Sequence, residues 1–271
     1  MSDTPRRVPP RLLQLVDKKY ISENLLRITL TGEALKGFPN NKNGSHIKLF
    51  IPHKGQSKPE LPTLSETGVI WPKNRPITRA YSVRKYRADV NELDVDFVAH
   101  GKSSPASGWA INAKKGDCIG VAGPGGPDPL LATADWHILA GDLTAVPAIS
   151  AILETLPQDA KGHVFIELDD LIDKHLITHP LGIKIHWVLR TPGAKTNALI
   201  KAIGEVAPEN DVKSISGFVA GENSAVILCR DKLRADYQLT KKNLYAVPYW
   251  RRGQDEEMYH EERHTIMDQV Y

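Results

Sequence analysis

Apolar and polar residues alternate in short bursts along the first half of the chain. Residues 12–19, 25–31, 45–51, 80–84, 92–99 and 118–122 read as strands, separated by Gly, Pro and polar residues. One helical segment, 106–113, interrupts the series. Six strands with one helix predict a Greek-key β-barrel rather than a parallel sheet. The stretch 52–78 carries Pro52, Pro59, Pro62, Pro72 and Pro76. Long loops in compact domains are commonly functional or disordered, and this one reads as a partly mobile flap.

The rhythm changes after Gly123-Pro124-Gly125-Gly126-Pro127-Asp128-Pro129, a run of turn residues that marks a domain hinge. Strands at 136–140, 162–167, 184–189, 216–220 and 243–249 then alternate with helices at 145–156, 198–206 and 225–233. This is the pattern of a parallel α/β sheet. The expected organisation is a β-barrel domain over residues 1–127, a Rossmann-like α/β domain over 128–253 and a helical tail over 254–271.

Composition narrows the class without naming a function. At 271 residues, with 41% hydrophobic and 25% charged residues, the chain can bury the cores of two domains. A net charge of +3 and the lack of a basic patch with interleaved aromatics argue against a nucleic-acid partner. No apolar run is long enough to span a bilayer, and the first residues lack the apolar core of a signal peptide. Cys118 and Cys229 are far apart, without metal-ligand spacing, and are expected as buried thiols in a reducing cytoplasm. His175 with His179, and His260 with His264, have a spacing that can bind zinc on a helix. Pro180 disfavours helix at His179, and the second pair sits among Glu261 and Glu262, so no metal site is expected.

Candidate chemistry begins at Arg79-Ala80-Tyr81-Ser82. A cation, a ring and a hydroxyl on one strand face would suit a flavin, with Arg79 on phosphate, Tyr81 against the isoalloxazine and Ser82 near N5. The same residues also suit an ordinary strand with one solvated Arg. Downstream, Asp96-Phe97-Val98-Ala99-His100-Gly101 leads into Ser103-Ser104-Pro105-Ala106-Ser107-Gly108-Trp109-Ala110. There Ser103 or Ser104 would cap a short helix whose N–H groups suit a pyrophosphate. A third segment, Trp136 to Ile149, is a strand ending at Gly141 and a helix capped by Asp142 or Thr144. It reads as a nucleotide-binding strand–turn–helix without the full G-x-G-x-x-G pattern.

Together with Gly116-Asp117, Ala220-Gly221-Glu222 and Tyr249-Trp250-Arg251-Arg252-Gly253, these segments resemble the siderophore-interacting proteins over roughly residues 12 to 253. Those are FAD-containing ferric-siderophore reductases, a branch of the ferredoxin–NADP reductase superfamily. The resemblance implies FAD held by Arg79, Tyr81, Ser82, Val83, Asp96, Phe97, His100, Ala106, Ser107, Asp142, Thr144 and Ala145, with Ser82 tuning the flavin. It implies an anionic ferric siderophore bound by Lys48, Arg251 and Arg252, with Lys48 and Arg251 converging over the exposed flavin edge.

Several of these residues have plainer readings. His100 suits a strand end satisfied by backbone. Asp142 and Thr144 suit helix caps, and Tyr249 and Trp250 suit either a flavin face or the core. Glu167, Asp169 and Asp170 favour a ribose 2′-hydroxyl, whereas Arg190 favours a 2′-phosphate, and the balance leans to NADH over NADPH. The expected activity passes electrons from NAD(P)H through FAD to siderophore-bound Fe(III), releasing Fe(II), in a cytoplasmic monomer with no nucleic-acid or membrane partner. A ferredoxin donor, a general flavin reductase and a flavin-free siderophore-binding protein remain as alternatives.

Overall fold

The computed structural model describes residues 8–191, 197–254 and 259. The chain divides into two units, Met1–Gly126 and Pro127–Tyr271. Apart from Gln254 and Tyr259, the expected helical tail lies outside the described residues, as do His260 and His264.

In the first unit the period of two becomes sheet. Strands β1 (Arg11–Ser22), β2 (Leu25–Thr31), β3 (His46–Ile51), β6 (Ile77–Ser82), β7 (Lys85–Arg87), β8 (Glu92–Val98) and β9 (Cys118–Gly125) form a seven-stranded antiparallel sheet in the order β6-β3-β9-β1-β2-β8-β7. Leu13, Leu15, Ile28, Ile47, Leu49, Val95, Phe97 and Val121 face inward and share one buried cluster. Alternate residues face outward and are satisfied there. Arg27 pairs with Asp96 through two bonds of 2.7 and 2.8 Å. Asp94 accepts from Thr29 at 2.8 Å and from Arg87 at 2.6 Å. Burial alone would raise the Asp94 carboxyl, but the bonds from Arg87 and Thr29 hold it below its ordinary range.

Two expectations need correction. Among the described residues the barrel is not closed by a strand ladder, because β6 pairs with β3 and β7 with β8 at the two ends of the sheet. Closure is made by the chain itself. Val83 donates to Ser45 O at 2.9 Å and Arg84 donates to Asp94 O at 3.0 Å, so two residues carry the chain from one sheet edge to the other. The stretch 52–78 is also more than a loop. It holds a hairpin of β4 (Thr63–Ser65) and β5 (Gly68–Ile70). Helix α1 (Pro105–Asn112) has N-cap Ser104 and Pro105 in its first turn, as expected, but no side-chain capping bond.

The second unit follows the predicted rhythm. Strands β10 (Trp136–Asp142), β11 (Lys161–Leu168), β12 (Gly182–Leu189), β13 (Ile215–Glu222) and β14 (Leu244–Trp250) form a parallel sheet in the order β12-β11-β10-β13-β14. Helices α2 (Val146–Thr155), α3 (Ala198–Gly204) and α4 (Asn223–Tyr237) make the crossovers, except between β11 and β12, where only a 3-10 turn at Leu171–Asp173 intervenes. β10 is buried along almost its whole length, as a central strand covered on both faces must be. Cys229 is fully buried on α4, where burial pushes its thiol up and keeps it protonated. Cys118, expected to be buried as well, is only half-buried.

Three histidines are held neutral in this sheet. His137 shares a 2.8 Å bond with Ser216, and His163 Nδ1 lies 2.8 Å from His186 Nε2 in a stacked pair. Burial lowers all three, and His186 and Lys184 push His163 further down, to about 4. The unfolded chain therefore binds more protons than the folded one from about pH 6.5 down to about pH 4. Stability of this unit is lost as pH falls through that window. For half-exposed His163 the loss is on the order of 1–2 kcal/mol after allowing for solvent screening. His163→Gln should flatten the pH dependence of thermal unfolding there, and an unchanged slope would refute the assignment.

Candidate functional site

The ladder-free gap between β6 and β8 is the feature that sets the first unit apart from a sealed barrel. Tyr81 reaches across it to Phe97, with ring centroids 4.4 Å apart, and Phe97 meets Trp109 of α1 at 6.0 Å. Arg79 lies two residues from Tyr81 on the same face of β6, and its guanidinium donates to Thr78 O at 2.8 Å. The N-terminus of α1 follows from the end of β8 through His100 and Gly101. Its first N–H groups have no partner within the helix, which suits an anion. A cation, three aromatic rings and a helix N-terminus around one opening fit a flavin dinucleotide, whose ring is planar and whose linker is a pyrophosphate.

Other motif residues are spent inside the fold. Asp96 is held by Arg27, and Ser107 donates to Gly101 O at 2.7 Å. Val83 and Ala106 belong to the apolar core. His100 is exposed with Nδ1 3.0 Å from Val98 O, the plain strand-end reading. Ser82 does not share a face with Tyr81, because adjacent strand residues point to opposite sides. It pairs with His46 on the outer face and is buried.

Lys48 is also on that outer face, between His46 and Phe50 on β3. Its cross-strand neighbours are the small residues Ala80 and Ala122, and it is exposed. The flap packs against the same face. Trp71 meets Phe50 nearly edge-on at 6.1 Å, and the Arg75 guanidinium lies 5.3 Å over the Trp71 ring. At Gly120 a Cβ would come within 2.3 Å of Leu61 and 2.9 Å of Phe50, so glycine makes the seat for the flap. Neither Trp71 nor Arg75 was singled out by sequence. The available signal was an exposed Trp and Arg in one proline-rich stretch.

In the second unit the carboxyl ends of β10 and β13 meet where the strand order reverses, the usual place for a ligand in such a sheet. Asp142, Glu167 and Glu222 line the cleft there. Asp142 does not cap α2, whose N-cap is Ala145 without a side-chain bond. Its Oδ1 instead accepts from Thr144 N at 2.9 Å and Thr144 Oγ1 at 2.5 Å, and its Oδ2 from Glu222 N and Trp250 Nε1, both at 2.8 Å. Gly221, at φ 128°, admits this carboxylate, since a Cβ there would lie 2.6 Å from Oδ2. Burial raises the carboxyls of Asp142 and Glu167, and Asp142 raises Glu167 further. Trp250 is thus tied to Asp142, and Arg252 lies 5.2 Å over its ring. Arg190 is paired with Asp169, so the two opposed signals for nucleotide choice neutralise each other. Arg251 is half-buried just past β14. Among the described residues no cluster of three ligating side chains could hold a metal, and no helix is long and apolar enough to cross a membrane.

Comparison with known proteins agrees with this architecture. A family model for the siderophore-interacting FAD-binding domain matches residues 14–128, and one for siderophore-interacting protein matches residues 134–253. The chain is 54% identical over 271 residues, all of both sequences, to the ferric vibriobactin reductase ViuB of Vibrio cholerae. It is 32% identical over 266 residues to the NADPH-dependent ferric-chelate reductase of Escherichia coli, covering 92% of this chain and 99% of that one. The crystal structure of the siderophore-interacting protein SipS from Aeromonas hydrophila superposes with a TM-score of 0.82 at 35% identity, covering 96% and 98% of the two chains. With both of its halves matched in order, the chain belongs to the siderophore-interacting protein family, and its first half is that family's FAD-binding domain.

Proposed function

We propose that this protein is a ferric-siderophore reductase that passes electrons from NADH or NADPH through FAD to siderophore-bound Fe(III). The observation that carries it is the gap between β6 and β8, with Arg79, Tyr81, Phe97 and Trp109 around it. Bound FAD supplies the conversion between a two-electron donor and a one-electron acceptor. The chain's own part is to hold and orient it. Arg79 pairs with phosphate, and Tyr81 and Trp109 lie against the flavin and its linker. The α1 N-terminus faces the pyrophosphate through the backbone of Ala106 and Ser107, with Phe97 behind and His100 at the rim. The backbone of Val83, where the chain changes edge, would adjoin the ring near N5, while the Ser82 side chain stays on the outer face. Asp142, Thr144 and Ala145 shape the turn that meets the nicotinamide nucleotide.

The reaction is tested with the purified protein, supplying NADH, NADPH or a reduced ferredoxin and trapping Fe(II) with a chelator. A protein that takes up no FAD removes this reading. A ferredoxin-only response would keep the reductase and change its donor. The turn at Asp142 favours that alternative to a degree, because a carboxylate occupies the N–H groups that a glycine-rich loop would offer to a pyrophosphate. The working state is a monomer in the cytoplasm.

Lys48 in the first unit and Arg251 and Arg252 in the second supply charge for an anionic ferric complex. Exposed charges contribute roughly 0–1 kcal/mol each, so single changes are small. Replacing both Lys48 and Arg251 by Ala should leave FAD content unchanged and raise the apparent KM for an anionic ferric siderophore several-fold. Added salt should mimic the effect, since such charges are screened over about 8–10 Å. A KM indifferent to both would eliminate electrostatic capture.

A further inference from the structure

Glu167 is a buried carboxyl to which the fold gives no donor. It lies near the end of β11, in parallel register with Asp142 of β10, and only 8% of its surface is exposed. Among the described residues no group hydrogen-bonds its carboxyl or forms an ion pair with it. It lines the cleft at the strand ends together with Gly141, Glu222, Leu199 and Val226. Asp142 is the opposite case, since its two oxygens accept from four donors, which favour the ionised form. The other groups facing Glu167 are Glu222 at the end of β13, Asp169 just past β11, Arg190 past β12, Arg252 past β14 and the Cys229 thiol on α4. Arg190 is taken up by Asp169 and Arg252 lies over the Trp250 ring, while Cys229 keeps its proton and α3 contributes the apolar Leu199. Of two adjacent carboxyls, one saturated with donors and one with none, the second holds the proton. Burial and the charge of Asp142 both act in that direction on Glu167.

We propose that Glu167 is a proton-linked specificity residue for the electron donor: the cleft admits the anionic pyrophosphate of a nicotinamide dinucleotide when the Glu167 carboxyl is protonated, and repels it when the carboxylate is free. The proposal rests on the reading that the turn at Asp142 meets the nucleotide, and it adds the condition under which that nucleotide binds. A pyrophosphate at the carboxyl ends of β10 and β13 lies beside Asp142, which already occupies N–H groups of the turn. A second carboxylate there repels it, whereas a neutral acid does not and offers an O–H to a phosphate oxygen. The arriving anion makes Glu167 hold its proton to higher pH than in the free site. Binding therefore takes up a proton, and affinity falls as pH rises through the titration of the free site. An ionised Glu167 that accepted from a ribose hydroxyl would give the opposite dependence.

The test titrates FAD-loaded protein with NAD+, whose pyrophosphate keeps its charge across the neutral range. Calorimetry in two buffers of different ionisation heat counts the protons exchanged, and the count on the parent protein needs no variant. Uptake in the parent should rise with pH toward about one proton per nucleotide, while the dissociation constant rises by up to about tenfold per pH unit. Glu167→Gln, neutral and nearly isosteric, should abolish the uptake, bind NAD+ more tightly than the parent at high pH and show an affinity independent of pH. KM for NADH should follow the same two profiles, and an unchanged thermal transition would confirm that the variant folds. Weaker binding by Glu167→Gln would make Glu167 an acceptor for the nucleotide and overturn the proposal, as would a proton count that the substitution leaves unchanged. Binding by Glu167→Gln where the parent binds none would support exclusion by charge. If neither binds, the proposal falls together with the nucleotide donor, while Fe(II) release driven by reduced ferredoxin would still show the reductase.

Discussion

Arg79→Ala protein is expected to purify folded but largely without FAD. Its guanidinium donates to Thr78 O on the same strand, and Arg79 is not part of the buried apolar cluster of the first unit. A charge-assisted pair to phosphate contributes about 1.5–3 kcal/mol, so FAD affinity should fall roughly tenfold to a hundredfold. The check is the ratio of flavin to protein absorbance after gel filtration, with circular dichroism to confirm the sheet. Ser82→Ala is the counterpart: with its side chain on the outer face, away from Tyr81, it should keep FAD and leave the reduction potential of the flavin unchanged. An Arg79→Ala protein that holds FAD as tightly as the parent would sink the phosphate assignment.

The other large effect lies at Asp142, which joins the ends of β10, β13 and β14. Both of its carboxylate oxygens accept, and each faces a donor that cannot turn around, Thr144 N on one side and Glu222 N with Trp250 Nε1 on the other. Asp142→Ala leaves these donors without their acceptor, at a cost on the order of 3 kcal/mol or more. Asparagine does not rescue it fully, because either orientation of its amide points an NH2 group at a donor. Calorimetry should show a lowered transition for the second unit in both variants, with Asp142→Ala the lower. An Asp142→Asn protein as stable as the parent would mean that one of these bonds is dispensable.

The strands were legible because their alternation is local. The parallel sheet was legible from the repeat of strand and helix. The β4–β5 hairpin was not, because its strands are three residues each and lie among prolines that suggest a loop. Ser82 was placed on the wrong face by reading the motif as a unit, where parity along β6 separates it from Arg79 and Tyr81. Asp142 looked like a cap because caps are local. Its real partners include Trp250, 108 residues away, and no spacing rule reaches that far. Trp71 and Arg75 were hidden for the same reason, since their meaning comes from Phe50 on another strand.

The two-residue passage at Val83 and Arg84 bears on how the apoprotein takes up its cofactor. β6 is an edge strand paired with β3, β8 lies between β2 and β7, and among the described residues no ladder runs between β6 and β8. A ligand entering there breaks no backbone pairing, and the sheet needs no rearrangement to admit it. What must part are the rings of Tyr81, Phe97 and Trp109, a matter of side-chain rotation rather than unfolding. Loading is then a fast step on a preformed scaffold, set by side-chain rotation rather than by the breaking of sheet.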